Sequence, residues 1–185
     1  ALPISNDRFW ADPFVCSTTD AHYIFVEELP FATNKGHIAV LTLARNGVLR
    51  DVRTILDGPH HLSYPFLFEW EGTRYLLPEC GASRRVTLYR CEEFPYRWQV
   101  DRVLLDDVDW ADATLCEHEG RWWLFMAQGM GPGLNECLHL YYANSPLGPY
   151  TPHAANPVKS GTRGSRPAGA LIRRDGRLYR PAQDC

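Results

Sequence analysis

The stretch Ala11-Asp12-Pro13-Phe14-Val15, running on to Tyr23-Ile24-Phe25-Val26-Glu27, recurs along the chain. Its further copies are Ser63-Tyr64-Pro65-Phe66-Leu67 to Tyr75-Leu76-Leu77-Pro78-Glu79, Ala111-Asp112-Ala113-Thr114-Leu115 to Trp123-Leu124-Phe125-Met126-Ala127, and Ser165-Arg166-Pro167-Ala168-Gly169 to Tyr179-Arg180-Pro181-Ala182-Gln183. Anchored on Asp12, Tyr64, Asp112 and Arg166, the copies step by 52, 48 and 54 residues. Each reads as a β-hairpin: an apolar strand, a polar turn and an aromatic-rich return strand. The turns are Thr19-Asp20-Ala21, Glu71-Gly72-Thr73, Glu119-Gly120-Arg121 and Asp175-Gly176-Arg177. Three of them carry the glycine that supplies positive φ.

A further strand pair follows each of the first three hairpins. Residues 37–43 face 48–55 across Asn46-Gly47, residues 86–90 precede 98–105, and residues 138–143 precede the proline-rich 145–157. No stretch carries an apolar stripe of helical period between caps, so helix should be scarce. Four strands per unit at a period near 50 is the arithmetic of a propeller blade, roughly 40–50 residues. The expected fold is an all-β propeller in a single domain, 1–185. Its blades fall at 1–57, 58–106, 107–159 and 160–185, the last incomplete. The chain is then part of a longer propeller, or one that another copy completes. The unpaired edge at Leu178-Tyr179-Arg180-Pro181 favours self-association.

Composition agrees and excludes other classes. The chain has 185 residues, 45% hydrophobic and 22% charged, with a net charge of -3. That is a globular composition, not a disordered tail or a basic nucleic-acid binder. Apolar runs such as Ile38 to Leu43 are too short to span a bilayer. No signal peptide is visible at residues 1–10. The six cysteines show no C-x-x-C spacing, and there is no N-x-S/T acceptor. Free core cysteines and a reducing, cytoplasmic compartment are the expectation. No cofactor is expected, and no cation-binding loop is visible.

In a blade, the start of the inner strand and the end of its partner return to one face. Position 12 should therefore lie near 27, 64 near 79, 112 near 127 and 166 near 183. This collects Asp12, Glu27, Tyr64, Glu79, Asp112, Arg166 and Gln183, with His60 and His61 just before the second copy. Convergent carboxylates are the raw material of glycosidic acid–base chemistry. Asp12 and Asp112 are favoured as a functional pair because one repeat position carries Asp twice. His60 and His61 read as loop residues, with His61 kept as a ligand contact. Trp10, beside Asp12, is the candidate for stacking on a sugar ring, whereas Trp70, Trp98, Trp122 and Trp123 read as core.

These residues resemble a known family. Asp12-Pro13-Phe14-Val15 is similar to the first-blade motif of the five-bladed propellers of glycoside hydrolase families 43 and 32. Asp112-Ala113-Thr114-Leu115 with Glu119-Gly120-Arg121-Trp122-Trp123-Leu124 resembles their third-blade Asp strand and its return. Ala143-Asn144-Ser145-Pro146-Leu147-Gly148-Pro149-Tyr150 followed by Asn156-Pro157-Val158 resembles their outer-strand signature, the most specific of the three. The resemblance implies a general base at Asp12 and, at Asp112, a residue that orients the acid and tunes its pKa. It places the general acid, a Glu in those enzymes, at Arg166. An arginine stays protonated and cannot be that acid. In this the chain also resembles the propeller domain N-terminal to a glycosyltransferase in plant glucosamine inositolphosphorylceramide transferases, and in bacterial proteins of unassigned function.

Two readings follow. One is a glycosidase-like domain acting on an anionic or phosphorylated glycan, with Glu79 or Glu27 as a displaced acid. The other is a non-catalytic carbohydrate-binding or scaffolding domain beside a glycosyltransferase, with Arg166 meeting a carboxylate or phosphate of the ligand.

Overall fold

The computed structural model describes residues 5–129 and 135–185. Strands β1 (Arg8–Ser17), β2 (Ala21–Pro30), β3 (His37–Ala44) and β4 (Leu49–Leu56) form one antiparallel sheet in chain order. Strands β5 (Ser63–Trp70), β6 (Thr73–Glu79), β7 (Val86–Glu93) and β8 (Arg97–Leu105) form a second in the same order. In the third sheet β9 (Trp110–His118), β10 (Arg121–Gln128) and β11 (Cys137–Ala143) are consecutive, and β11 also pairs with the short β12 (Thr151–Pro152) and β13 (Lys159–Ser160). The fourth copy holds β14 (Arg163–Pro167), β15 (Ile172–Arg174), β16 (Arg177–Tyr179) and β17 (Ala182–Asp184). It is one hairpin interrupted half-way, β14 pairing with β17 and β15 with β16. Among the described residues the helical element is a short 3-10 turn, Gly81–Ser83.

Turn chemistry explains the hairpins. At Glu71-Gly72, Glu119-Gly120 and Asp175-Gly176 both central residues have positive φ, from 49° to 73°. This is the mirror-image turn whose twist matches two paired strands. The first hairpin lacks a glycine and closes by another route. Thr18 donates its amide to the Ala21 carbonyl at 2.9 Å, and its hydroxyl oxygen accepts the Ala21 amide at 3.3 Å.

The chain divides into two compact units, Ala1–Ala82 with Leu88–Asp101, and Ser83–Thr87 with Arg102–Cys185. In the first, Phe25, Ile38 and Val40 of the first sheet pack with Leu62, Leu76 and Trp98. Phe25 and Trp98 meet edge-to-face at 5.8 Å, as do Tyr23 and Phe94 at 4.8 Å. Burying each such side chain contributes about 1.5–3 kcal/mol. The other face of the first sheet buries Val26, Ala39 and Leu41. β2 is thus apolar on both faces from Phe25 to Val26, as befits a strand inside a layered stack. In the second unit the buried residues include Trp110, Leu115, Leu124, Met126 and Leu138, with alanines at 111, 113 and 127. All six cysteines are free thiols.

Candidate functional site

The repeat anchors sit on a backbone kink. Asp12, Tyr64 and Asp112 have φ of 50°, 43° and 54°, the left-handed region that side chains other than glycine rarely enter. Each lies where its strand carries one residue more than its partner: between Ala11 and Phe14, between Ser63 and Phe66, and opposite Phe125 to Ala127. Such a bulge re-aims the side chain away from the strand's regular alternation. Pro13 and Pro65 follow two of these anchors, and a bulge tolerates their missing amide. The fourth copy differs. Its register slips between Arg163 and Pro167, and the positive φ falls on Gly164 rather than on Arg166.

The bulges leave the neighbouring register intact. Ala11 faces Glu27, Ser63 faces Glu79, Ala111 faces Ala127 and Pro167 faces Ala182. The ends of the two inner strands therefore return together in each copy. Within each unit, an aspartate anchor then bonds the anchor of the following copy.

In the first unit, Asp12 Oδ2 accepts the Tyr64 backbone N–H at 3.2 Å. Tyr64 is buried, its ring edge-on to Phe14 at 5.0 Å. His61 Nε2 lies 3.0 Å from Glu27 Oε1, and the Glu27 side chain is nearly buried. Burial pushes the His61 imidazole below its ordinary pKa, and the Asp12 charge pulls the other way. Asp12, Glu27, Tyr64 and His61 are thus brought together. Glu79 stands at the end of β6, in register with Ser63. Sequence reasoning missed Gly36, whose amide bonds His61 Nδ1 at 3.0 Å.

In the second unit, Asp112 is 2% exposed and is met by two side chains of the fourth copy. Arg166 donates Nε to Oδ2 at 2.5 Å and Nη2 to Oδ1 at 3.4 Å, a two-pronged grip. Gln183 Nε2 donates to the same Oδ2 at 2.8 Å and to the Pro167 carbonyl at 3.0 Å. Arg166 Nη1 reaches Asn135 Oδ1 at 3.0 Å, a partner without a local sequence signal. The guanidinium charge is met inside the protein by a carboxylate.

Trp10 is engaged in packing. Its indole N–H donates to Glu28 Oε2 at 2.6 Å, and its ring lies against the Val26, Ala39 and Leu41 cluster. Glu28, 4% exposed, also bonds Arg8 at 3.0 Å and His37 at 3.1 Å. This hub on β2 gave no sign in the sequence beyond one glutamate following another. Among the described residues, no group of three or more His, Cys, Asp and Glu is placed to hold a metal ion. Among them, too, no helix is long and apolar enough to cross a membrane.

Comparison with solved structures gives the fold. An exo-β-1,3-galactanase of Phanerochaete chrysosporium, crystallised with β-1,3-galactotriose, superposes with a TM-score of 0.67 at 14% identity, over 94% of this chain and 42% of that one. A family 117 glycoside hydrolase of Zobellia galactanivorans gives 0.66 at 16% identity, over 96% and 66%. The fold is a β-propeller of the five-bladed glycosidase type, with about four blades present and the fourth incomplete. Glucosamine inositolphosphorylceramide transferase 1 of Oryza sativa subsp. japonica is 37% identical over 183 residues, and that of Arabidopsis thaliana 36%. These matches cover 96% of this chain and 24% of the relatives, so the chain spans about a quarter of their length. The family description "Glucosamine inositolphosphorylceramide transferase 1, N-terminal" matches residues 4–185, and the chain belongs to that family.

Proposed function

We propose that this domain binds carbohydrate without cleaving it, in the service of an associated glycosyltransferase. One observation carries the reading: the position that should hold a general acid holds Arg166, gripped by Asp112. Hydrolysis needs a group that gives its proton to the leaving oxygen. A guanidinium keeps its protons near neutral pH. Asp112 is bonded by Arg166 and Gln183, so a cation stands beside it at the fourth-copy anchor.

The binding role falls to the first unit. Asp12 and Glu27 are acceptors suited to sugar hydroxyls, with Glu79 at the end of the neighbouring hairpin. The name of the curated relatives, glucosamine inositolphosphorylceramide transferase 1, points to the glycan part of an inositolphosphoryl lipid as the ligand class. An acceptor-rich cluster suits the hydroxyls of such a ligand and repels its phosphoryl group, which must be met by donors elsewhere. The fold cannot make this choice, since one scaffold hosts many functions.

The test pairs binding with turnover. Glucosamine, myo-inositol and myo-inositol 1-phosphate are titrated by calorimetry, and a panel of aryl glycosides is screened for release of the aryl alcohol. The expected outcome is saturable binding of a sugar probe, weakened at least fivefold by Asp12→Asn, with no turnover. Turnover abolished by Asp12→Asn would overturn the reading and put Glu27 or Glu79 in the role of a displaced acid. Absence of binding to every probe would leave scaffolding as the function.

A further inference from the structure

His61 ties together three segments of the first unit. It lies in the connection between β4 and β5, while Glu27 is on β2 and Gly36 ends the loop between β2 and β3. Its Nδ1 accepts the Gly36 amide at 3.0 Å, and its Nε2 lies 3.0 Å from Glu27 Oε1. A backbone amide can only donate, so Nδ1 must present a lone pair. In the neutral ring the proton is then on Nε2, pointed at a carboxylate. The partners themselves therefore define the tautomer.

The contact depends on glycine. A Cβ at position 36 would stand 2.7 Å from the Leu62 carbonyl oxygen, 2.8 Å from His61 Cε1 and 2.9 Å from Glu27 Oε1. The first of these is backbone and cannot move aside. The same loop is tied to the connection at further points. Leu62 donates its amide to the Gly36 carbonyl at 2.9 Å, and Lys35 Nζ reaches Asp57 Oδ1 at 2.8 Å and the Gly58 carbonyl at 2.6 Å.

We infer that His61 is a positioning residue: as the Nε2–H tautomer it fixes the Glu27 carboxylate and fastens the β2–β3 loop to it, and a proton on Nδ1 unfastens the loop. The bearing of this on ligand rests on the reading of Glu27 as a sugar contact. The lock itself does not depend on that reading. With both nitrogens protonated, Nε2 keeps Glu27, while Nδ1–H faces the Gly36 N–H, donor against donor. The charged groups acting on the ring are Glu27 on β2 and Asp12 on β1, and on the loop Lys35 is paired with Asp57. Burial opposes the proton and the Asp12 charge favours it, burial being the larger effect. The lock is therefore closed at neutral pH and opens as pH falls below the ordinary histidine range.

The test is NMR on the ligand-free protein with 15N-labelled histidine, which reads the two ring nitrogens separately. At pH 7.5 His61 should show protonated Nε2 and unprotonated Nδ1. The Gly36 amide should titrate together with it, with a midpoint below about 6.5. His61→Asn offers Gly36 an acceptor that does not titrate, so the Gly36 amide should keep its position and lose its pH dependence. His61→Ala should shift it at every pH. In parallel, His61→Ala should weaken binding of myo-inositol and His61→Asn should restore part of it. An Nδ1–H tautomer, or a Gly36 amide blind to the titration of His61, overturns the inference. Wild-type protein that shows the lock but binds no sugar refutes the binding function and leaves the lock standing.

Discussion

Replacing Arg166 by leucine removes the partner of a carboxylate that is 2% exposed. Breaking a buried pair from one side costs about 3–5 kcal/mol, because the remaining charge stays desolvated. Two features of the structure lower that figure here. The Arg166 side chain keeps 26% exposure, so part of its gain was already screened. Gln183 also continues to donate to Asp112 Oδ2 at 2.8 Å. The expected loss is therefore about 2–3 kcal/mol. At this chain length each kcal/mol moves the midpoint by about 2–4 °C, giving a fall of roughly 4–12 °C. Arg166→Glu sets a second carboxylate against Asp112 and should cost more than leucine. The assay is urea unfolding followed by tryptophan fluorescence, run as a double-mutant cycle with Asp112→Asn. Neutralising Asp112 removes the reason for the cation, so the double variant should recover about 1–2 kcal/mol of the loss, seen as a non-additive cycle. If Arg166→Leu unfolds within about 0.5 kcal/mol of wild type and yet loses sugar binding, the guanidinium serves a ligand and not Asp112. Asp112 would then not close this position to chemistry.

Two further changes test the fold and the site. Glu71 adopts φ of 49° in a mirror-image turn, where asparagine is favoured, so Glu71→Asn should raise stability by about 0.5–1 kcal/mol in the same unfolding assay. Trp10→Phe keeps an aromatic ring but removes the donor to Glu28. It should cost about 1–2 kcal/mol while leaving calorimetric sugar affinity unchanged, whereas lost affinity at unchanged stability would return Trp10 to the role of a stacking platform.

Hairpins and period were legible because they rest on local chemistry. Alternating apolar residues, Glu71-Gly72, Glu119-Gly120 and Asp175-Gly176 fix strand, turn and return without reference to the rest of the chain. The bulges were half legible. Pro13, Pro65 and Pro167 mark where a ladder amide is dispensable, but the left-handed backbone at Tyr64 contradicts its local preference and is held by its surroundings. Contacts between distant segments were not legible. Nothing near Gly36 announces His61, and nothing near Asn135 announces Arg166.

The anchors themselves carried a signal that reading them one at a time misses. Asp12 bonds the next anchor through the Tyr64 backbone amide, a contact indifferent to the side chain at 64. Asp112 bonds the next anchor through the Arg166 guanidinium, which neutralises it. The same residue type at the same repeat position therefore meets a backbone amide of the next anchor in one unit and a guanidinium in the other. What distinguishes them is the anchor one repeat further on, tyrosine in the first case and arginine in the second. That difference is written in the sequence 52 and 54 residues downstream, where neither anchor aspartate by itself shows it.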